Sequence, residues 1–238
     1  MNREITSNRT DFYTSVHKSQ RAEIGALIAR AGSADPEDRG EIAAVAGAVT
    51  GLVVELRAHA EHEETFIHPL YRRCAPEVLA ELEAGDGALD RLLGDLDERW
   101  RTVASDPTTT SAREAYRALA RLAGRYFEHL EEEEATQPVL WERLPESELA
   151  AAMAAFRASR SAEEGVRGLL GMFPALHAGE QASILAGMRA GAPPAVYAAT
   201  LGRVKGVLSQ RAWTGLRARL VGAGLGHAER GEGRTTAF

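Results

Sequence analysis

The chain contains a single cysteine, Cys74, which excludes an internal disulfide. That scarcity fits a reducing compartment. Positive charge is not in excess: 28 Lys and Arg stand against 34 Asp and Glu, a formal net charge of -6. A nucleic-acid partner needs a basic footprint, so none is expected. The opening residues, MNREITSNRTDF, lack the apolar core of a signal peptide. The longest weakly polar stretch, Ala43 to Val54, is about a dozen residues, where a membrane span needs about 20. It reads as a buried helix segment. A cytoplasmic protein without a membrane partner is the expectation. Alternating β-branched residues are also scarce, which leaves little material for strands.

What is present is helix-forming. The 238 residues are 45% hydrophobic and rich in Ala, Leu, Arg and Glu, enough for one large domain or a domain with an extension. Pro and Gly mark the breaks. A first helix is predicted from about Asp11 to Ala31. Asp35-Pro36 reads as an N-cap followed by Pro at the first helical position, opening a second helix that runs to about Pro69. Pro76 opens a third, ending near Ser105-Asp106-Pro107. Ser111-Ala-Arg-Glu114 has capping-box spacing and opens a fourth, running to about Gln137. Long helices with short connections predict an all-α fold, an antiparallel up-down four-helix bundle over residues 1–144. Shorter helices follow over 145–222, beginning with a capping box at Ser161 to Glu164 and broken at Pro174, Pro193-Pro194 and Ser209. Residues 223–238, Gly-rich and charged, are predicted to form a flexible tail.

One motif occurs twice. The second helix carries His59, Glu63 and Glu64 and then Pro69-Leu70. The fourth carries His129, Glu133 and Glu134 and then Pro138. Residues four apart share a helix face, so His59 with Glu63, and His129 with Glu133, each present an imidazole and a carboxylate in one direction. In an up-down bundle the second and fourth helices are parallel and diagonal, so both pairs can converge in the core. The first helix adds His17. The third has no histidine and offers Asp86 and Asp90, again four apart. The candidate metal ligands are thus His17, His59, Glu63, Asp86, Asp90, His129 and Glu133. Imidazole with carboxylate suits iron, manganese or zinc, and two glutamates capable of bridging favour two ions over one. His62 is read as an outer or surface residue and a second-choice ligand, His68 as a helix end near solvent, and His177 as a helix cap. No histidine has an acid three residues before it, which argues against the Glu-x-x-His ferritin-like site.

The segments VHKSQR, HAEHEETFIHPL and HLEEEEATQPVLW together resemble the hemerythrin-like (HHE cation-binding) family. FPALHAGEQASILAGMRAGAPP and LSQRAW are similar to the C-terminal helices of a bacterial subset. The resemblance implies a four-helix bundle around a non-heme di-iron centre. By position it implies imidazole ligands at His17, His59 and His129, and bridging carboxylates from Glu63 and one of Glu133 or Glu134, with Glu132 an alternative. The family places one or two histidines on the third helix, where this chain has Asp86 and Asp90. Either aspartate replaces a histidine, or one ion is weakly held, which includes a mononuclear or partly empty site.

Carboxylate in place of imidazole stabilises higher iron oxidation states and disfavours reversible oxygen release. The expected function is therefore dioxygen activation, as an oxidase or oxygenase acting on a small organic substrate. An oxygen, redox or iron sensor or carrier without catalysis is the alternative. The expected partners are dioxygen and a small molecule. Nothing in the sequence sets the oligomeric state.

Overall fold

The computed structural model describes residues 9–222; the expected tail over 223–238 and His227 lie outside the described residues. Among the described residues there are ten α-helices and no strand. Contacts divide the described residues into two compact units, one up to Arg160 and one from Ser161.

In the first unit four long helices surround one core: α1 (Thr14–Ser33), α2 (Arg39–Phe66), α4 (Pro76–Ser105) and α5 (Thr109–Arg143). A short helix, α3 (His68–Cys74), separates α2 from α4, and α6 (Glu146–Ala158) follows α5. α1 packs on α2 and α5, and α4 packs on the same two helices. Side-chain pairs show that α1 runs opposite to α5, and α2 opposite to α4. Phe12 bonds Gln137 near the start of α1, while Gly32 at its far end lies against Tyr116. Thr50 bonds Asp97, and Arg57 bonds Asp90. The core is aliphatic, with Ile24, Val49, Leu52, Leu96, Leu119 and Leu122 all at 1% exposure or less. α2 is long and apolar enough, by length and composition, to cross a membrane. In the fold it is a core helix, with Ile42, Val45, Val49, Leu52 and Leu56 buried against the other three.

Helix ends differ from the sequence reading where two caps compete. α2 starts at Arg39 because Asp38, not Asp35, takes the cap: its Oδ1 accepts from Gly40 N at 2.8 Å and Glu41 N at 3.0 Å. Asp35 closes an Asx turn over Pro36 instead, accepting from Glu37 N at 2.9 Å. α5 starts at Thr109 because Thr108 is the cap and Ser111 its reciprocal N3 partner. α5 also continues through Pro138 to Arg143. Proline removes one helical hydrogen bond, but Leu140 beyond it is fully buried and Arg143 Nη1 donates to Cys74 O at 2.6 Å. Tertiary packing holds the last turns.

α6 belongs to the first compact unit, which extends to Arg160 where the sequence suggested an end at 144. Leu149 is fully buried beside Leu140, Tyr71 and Leu82, and Phe156 packs edge-on against His62 and Phe66.

The second unit contains α7 (Ala162–Met172), a single 3-10 turn (Phe173–Ala175), α8 (Ala178–Gly191), α9 (Pro194–Val207) and α10 (Gln210–Gly222). The capping box at Ser161 and Glu164 forms as expected, and His177 caps α8 by accepting from Gly179 N and Glu180 N. Phe173, Leu185, Val204, Trp213 and Leu216 form its core. Gln181, 1% exposed, donates to the carbonyls of Phe173 and Leu176.

Candidate metal centre

The site lies where the histidine-bearing turns of α1, α2 and α5 meet the Ala-Gly-Asp-Gly-Ala stretch of α4. Two groups of ligand-type atoms gather there, each within 4.8 Å of one another: His17, His59, Glu63 and Glu133, and Asp86, His129 and Glu133. Glu133 is common to both. Its Oε2 lies 3.3 Å from His17 Nε2 and its Oε1 lies 3.0 Å from His129 Nε2. Glu63 Oε1 stands 3.1 Å from His59 Nε2 and 3.8 Å from His17 Nε2. Asp86 Oδ1 is 3.0 Å from His129 Nε2.

The residues fit a cation better than they fit each other. His17 Nε2, His59 Nε2, Glu63 Oε1 and Glu133 Oε2 are buried and have no aligned hydrogen-bond partner. Buried polar atoms left so are rare and call for an explanation. Here they lie within ion-pair distance without hydrogen-bond alignment, as donors converging on a shared ion would. Soft sulfur is absent from both groups, and imidazole with carboxylate suits iron, manganese or zinc.

Glu134 takes a different role from Glu133. It is one residue further round the helix and bonds His17 Nδ1 at 2.9 Å and Arg21 Nη1 at 2.6 Å. A carboxylate on the far ring nitrogen fixes the tautomer and aims Nε2, with its lone pair, into the site. Glu132 is exposed and reaches only to 4.0 Å from His129 Nδ1. His62 turns away to meet Phe156 edge-on. Asp90 joins neither group: it is exposed, and its Oδ1 accepts from Arg57 Nε at 2.8 Å.

His68 departs from its sequence reading. It is 2% exposed, not near solvent. Pro69 cannot continue α2, so the chain breaks at Ile67 and restarts as α3 with His68 as its first residue. In a straight helix His68, nine residues after His59, would lie about half a turn out of phase with it. The break returns it to the interior, with Nε2 3.8 Å from Asp86 Oδ2.

Three further features were not read from the sequence. Tyr13 and Tyr126 are buried beside the site, one on the His17 face of α1 and the other one turn before His129. Burial, and then the charges of Glu63, Glu133 and Asp86, hold the Tyr126 phenol protonated far into alkali. Gly85 lies under His129: a Cβ there would be 2.6 Å from Nδ1. A pocket of about 480 Å³ opens onto both groups, lined among others by His59, Glu63, Asp86, Tyr126, His129 and Glu133.

A bundle of helices that buries two linked histidine–carboxylate groups defines a class, the cation-binding helical proteins. The hemerythrin HHE cation binding domain matches residues 8–137, more than half of the 238-residue chain. The chain belongs to that family. No curated protein and no solved structure matches it significantly.

Protonation opposes cation binding. Burial lowers the His129 pKa, but the hydrogen bonds it donates to the Asp86 and Glu133 carboxylates outweigh burial and raise the value to about 10. Burial and the Glu63 charge raise Glu133 to about 8. For Glu63 burial pushes upward, but the charge of His59 and the closeness of the neighbouring imidazoles win and hold it low. At pH 7 the metal-free site therefore keeps one proton on His129 and one shared by the Glu63–Glu133 pair, and a cation must displace them. Calorimetry in buffers of different ionisation enthalpy should show more than one proton released per chain near pH 7. Affinity should strengthen from pH 6 towards pH 8. Binding that is independent of pH would contradict this protonation scheme.

Proposed function

We propose that the chain holds two iron ions, joined by Glu133, and uses them to activate dioxygen towards a small organic substrate. The observation that carries this reading is that Glu133 is shared by both ligand groups at the inner end of the pocket. His17, His59 and Glu63 would hold one ion, and Asp86 and His129 the other. When bound, iron supplies the electrons and the oxygen chemistry. The protein's residues do the rest. Glu134 and Arg21 fix His17. Tyr126, kept neutral, offers a hydroxyl proton at the pocket wall. Leu56, Leu89 and Leu93 line the pocket beside the acids and give it apolar wall for an organic molecule. Glu61, Glu64 and Glu83, with only Arg57 and the imidazoles of His59, His68 and His129 to oppose them, disfavour an anionic substrate.

With imidazoles from His17, His59 and His129 against carboxylates from Glu63, Asp86 and Glu133, the set is richer in hard oxygen than an imidazole-dominated carrier site. Ferrous protein, loaded without air, should consume oxygen irreversibly in an oxygen electrode. A coloured form that returns its oxygen under vacuum would favour the non-catalytic carrier instead. Failure to take up iron, with one tightly held zinc, would remove the oxygen chemistry.

A further inference from the structure

α4 contributes no histidine to the site, so the Asp86–His129–Glu133 group has one imidazole where the other group has two. His68 stands next to this poorer group. It is 2% exposed, lines the same pocket, and its Nδ1 has no hydrogen-bond partner. Its Nε2 faces Asp86 Oδ2 at 3.8 Å, while Asp86 Oδ1 faces His129 at 3.0 Å. The aspartate thus lies between two imidazoles. Two atoms that each bind one ion at about 2.1 Å can stand up to about 4.2 Å apart, so His68 and Asp86 are within reach of a common ion.

The energetic argument points the same way. A buried imidazole is costly unless its nitrogens are used, and His68 Nε2 stands at ion-pair range of Asp86, 3.8 Å, rather than at hydrogen-bond range. No apolar reason requires a histidine at the first residue of α3, where Ile67, Leu70 and Tyr71 already supply the packing. The break before Pro69 turns the ring inward at the height of Asp86, with Nε2 towards that carboxylate and Nδ1 without a hydrogen-bond partner.

We propose that His68 is a protein ligand of the cation held by Asp86, His129 and Glu133, supplying from α3 the second imidazole that α4 lacks. This rests on the two-cation reading above. It makes the site one of four histidines, drawn from α1, α2, α3 and α5.

The test uses the whole chain, stripped of metal and titrated with Co2+. The wild type should bind two Co2+, and a wild type that binds none would overturn both this inference and the two-cation reading. His68→Ala and His68→Gln should each keep one Co2+ and bind the second at least about tenfold more weakly. Circular dichroism of the metal-free variants checks that they fold. Two folded variants that bind both ions with wild-type affinity would overturn the assignment and leave the two-cation reading intact. Proton NMR of the wild type loaded with Co2+ gives a readout that needs no variant. Imidazole N–H signals shifted by the metal should count four ligand histidines; three would overturn the proposal.

Discussion

Gly85→Ala should lose one of the two cations and keep its fold. The added Cβ would stand 2.6 Å from His129 Nδ1 and 2.9 Å from Cε1, closer than atoms in non-bonded contact approach. Position 85 is ordinary helix within α4, and alanine is a better helix former than glycine by about 1 kcal/mol. The backbone therefore has no reason to yield, and the imidazole does. Once the ring shifts, Nε2 leaves its 3.0 Å approaches to Asp86 and Glu133 together. The first group, His17, His59 and Glu63, contains no atom that the new methyl touches. Affinity for the second cation should fall more than about a hundredfold, beyond what loss of an outer hydrogen-bonding partner usually costs. The melting temperature of the metal-free protein should hold or rise. Titration calorimetry and a thermal melt on the same sample read both. Two cations bound normally, with a lowered melting temperature, would show that Gly85 serves packing alone.

Glu133→Gln should be more severe, because Glu133 is the one residue common to both groups. The amide keeps the size of the side chain but loses the second anionic oxygen. It cannot bind an ion on each side as a carboxylate does. Both cations should weaken by more than about a hundredfold, and neither should remain after desalting. The metal-free fold should tolerate the change, since Glu133 is already driven towards its neutral form by burial and by Glu63. Elemental analysis after ferrous loading should find less than one iron per chain. A variant that still holds two irons would show that Glu133 does not bridge, and Glu63 would take that role.

What could be read from the sequence was what depends on local spacing. His59 with Glu63, and His129 with Glu133, share a face because a helix brings residues four apart together wherever it is placed. On α4 the same rule proposed Asp86 and Asp90, and only Asp86 joins a ligand group. Both suit the spacing, but Arg57 on α2 draws Asp90 out of the site, and only tertiary packing decides that. Glu133 and Glu134 differ by about 100° around the helix, and His17 and Arg21 on α1 determine which of them faces inward. His68 was misplaced because the break before Pro69 resets the helical phase, by an amount that sequence does not specify. The helix starts went wrong where adjacent Asp or Thr and Ser residues offered rival caps. For Gly85 a signal did exist: a glycine within a helix costs stability, and two stand here in three residues, at Gly85 and Gly87.

The central claim is that two ions lie on either side of Glu133. Anomalous scattering from a crystal loaded anaerobically with ferrous iron tests it most directly. Two peaks are expected, one among His17, His59 and Glu63 and the other beside Asp86 and His129, with the Glu133 carboxylate between them. A single peak, or iron bound away from Glu133, would contradict the account.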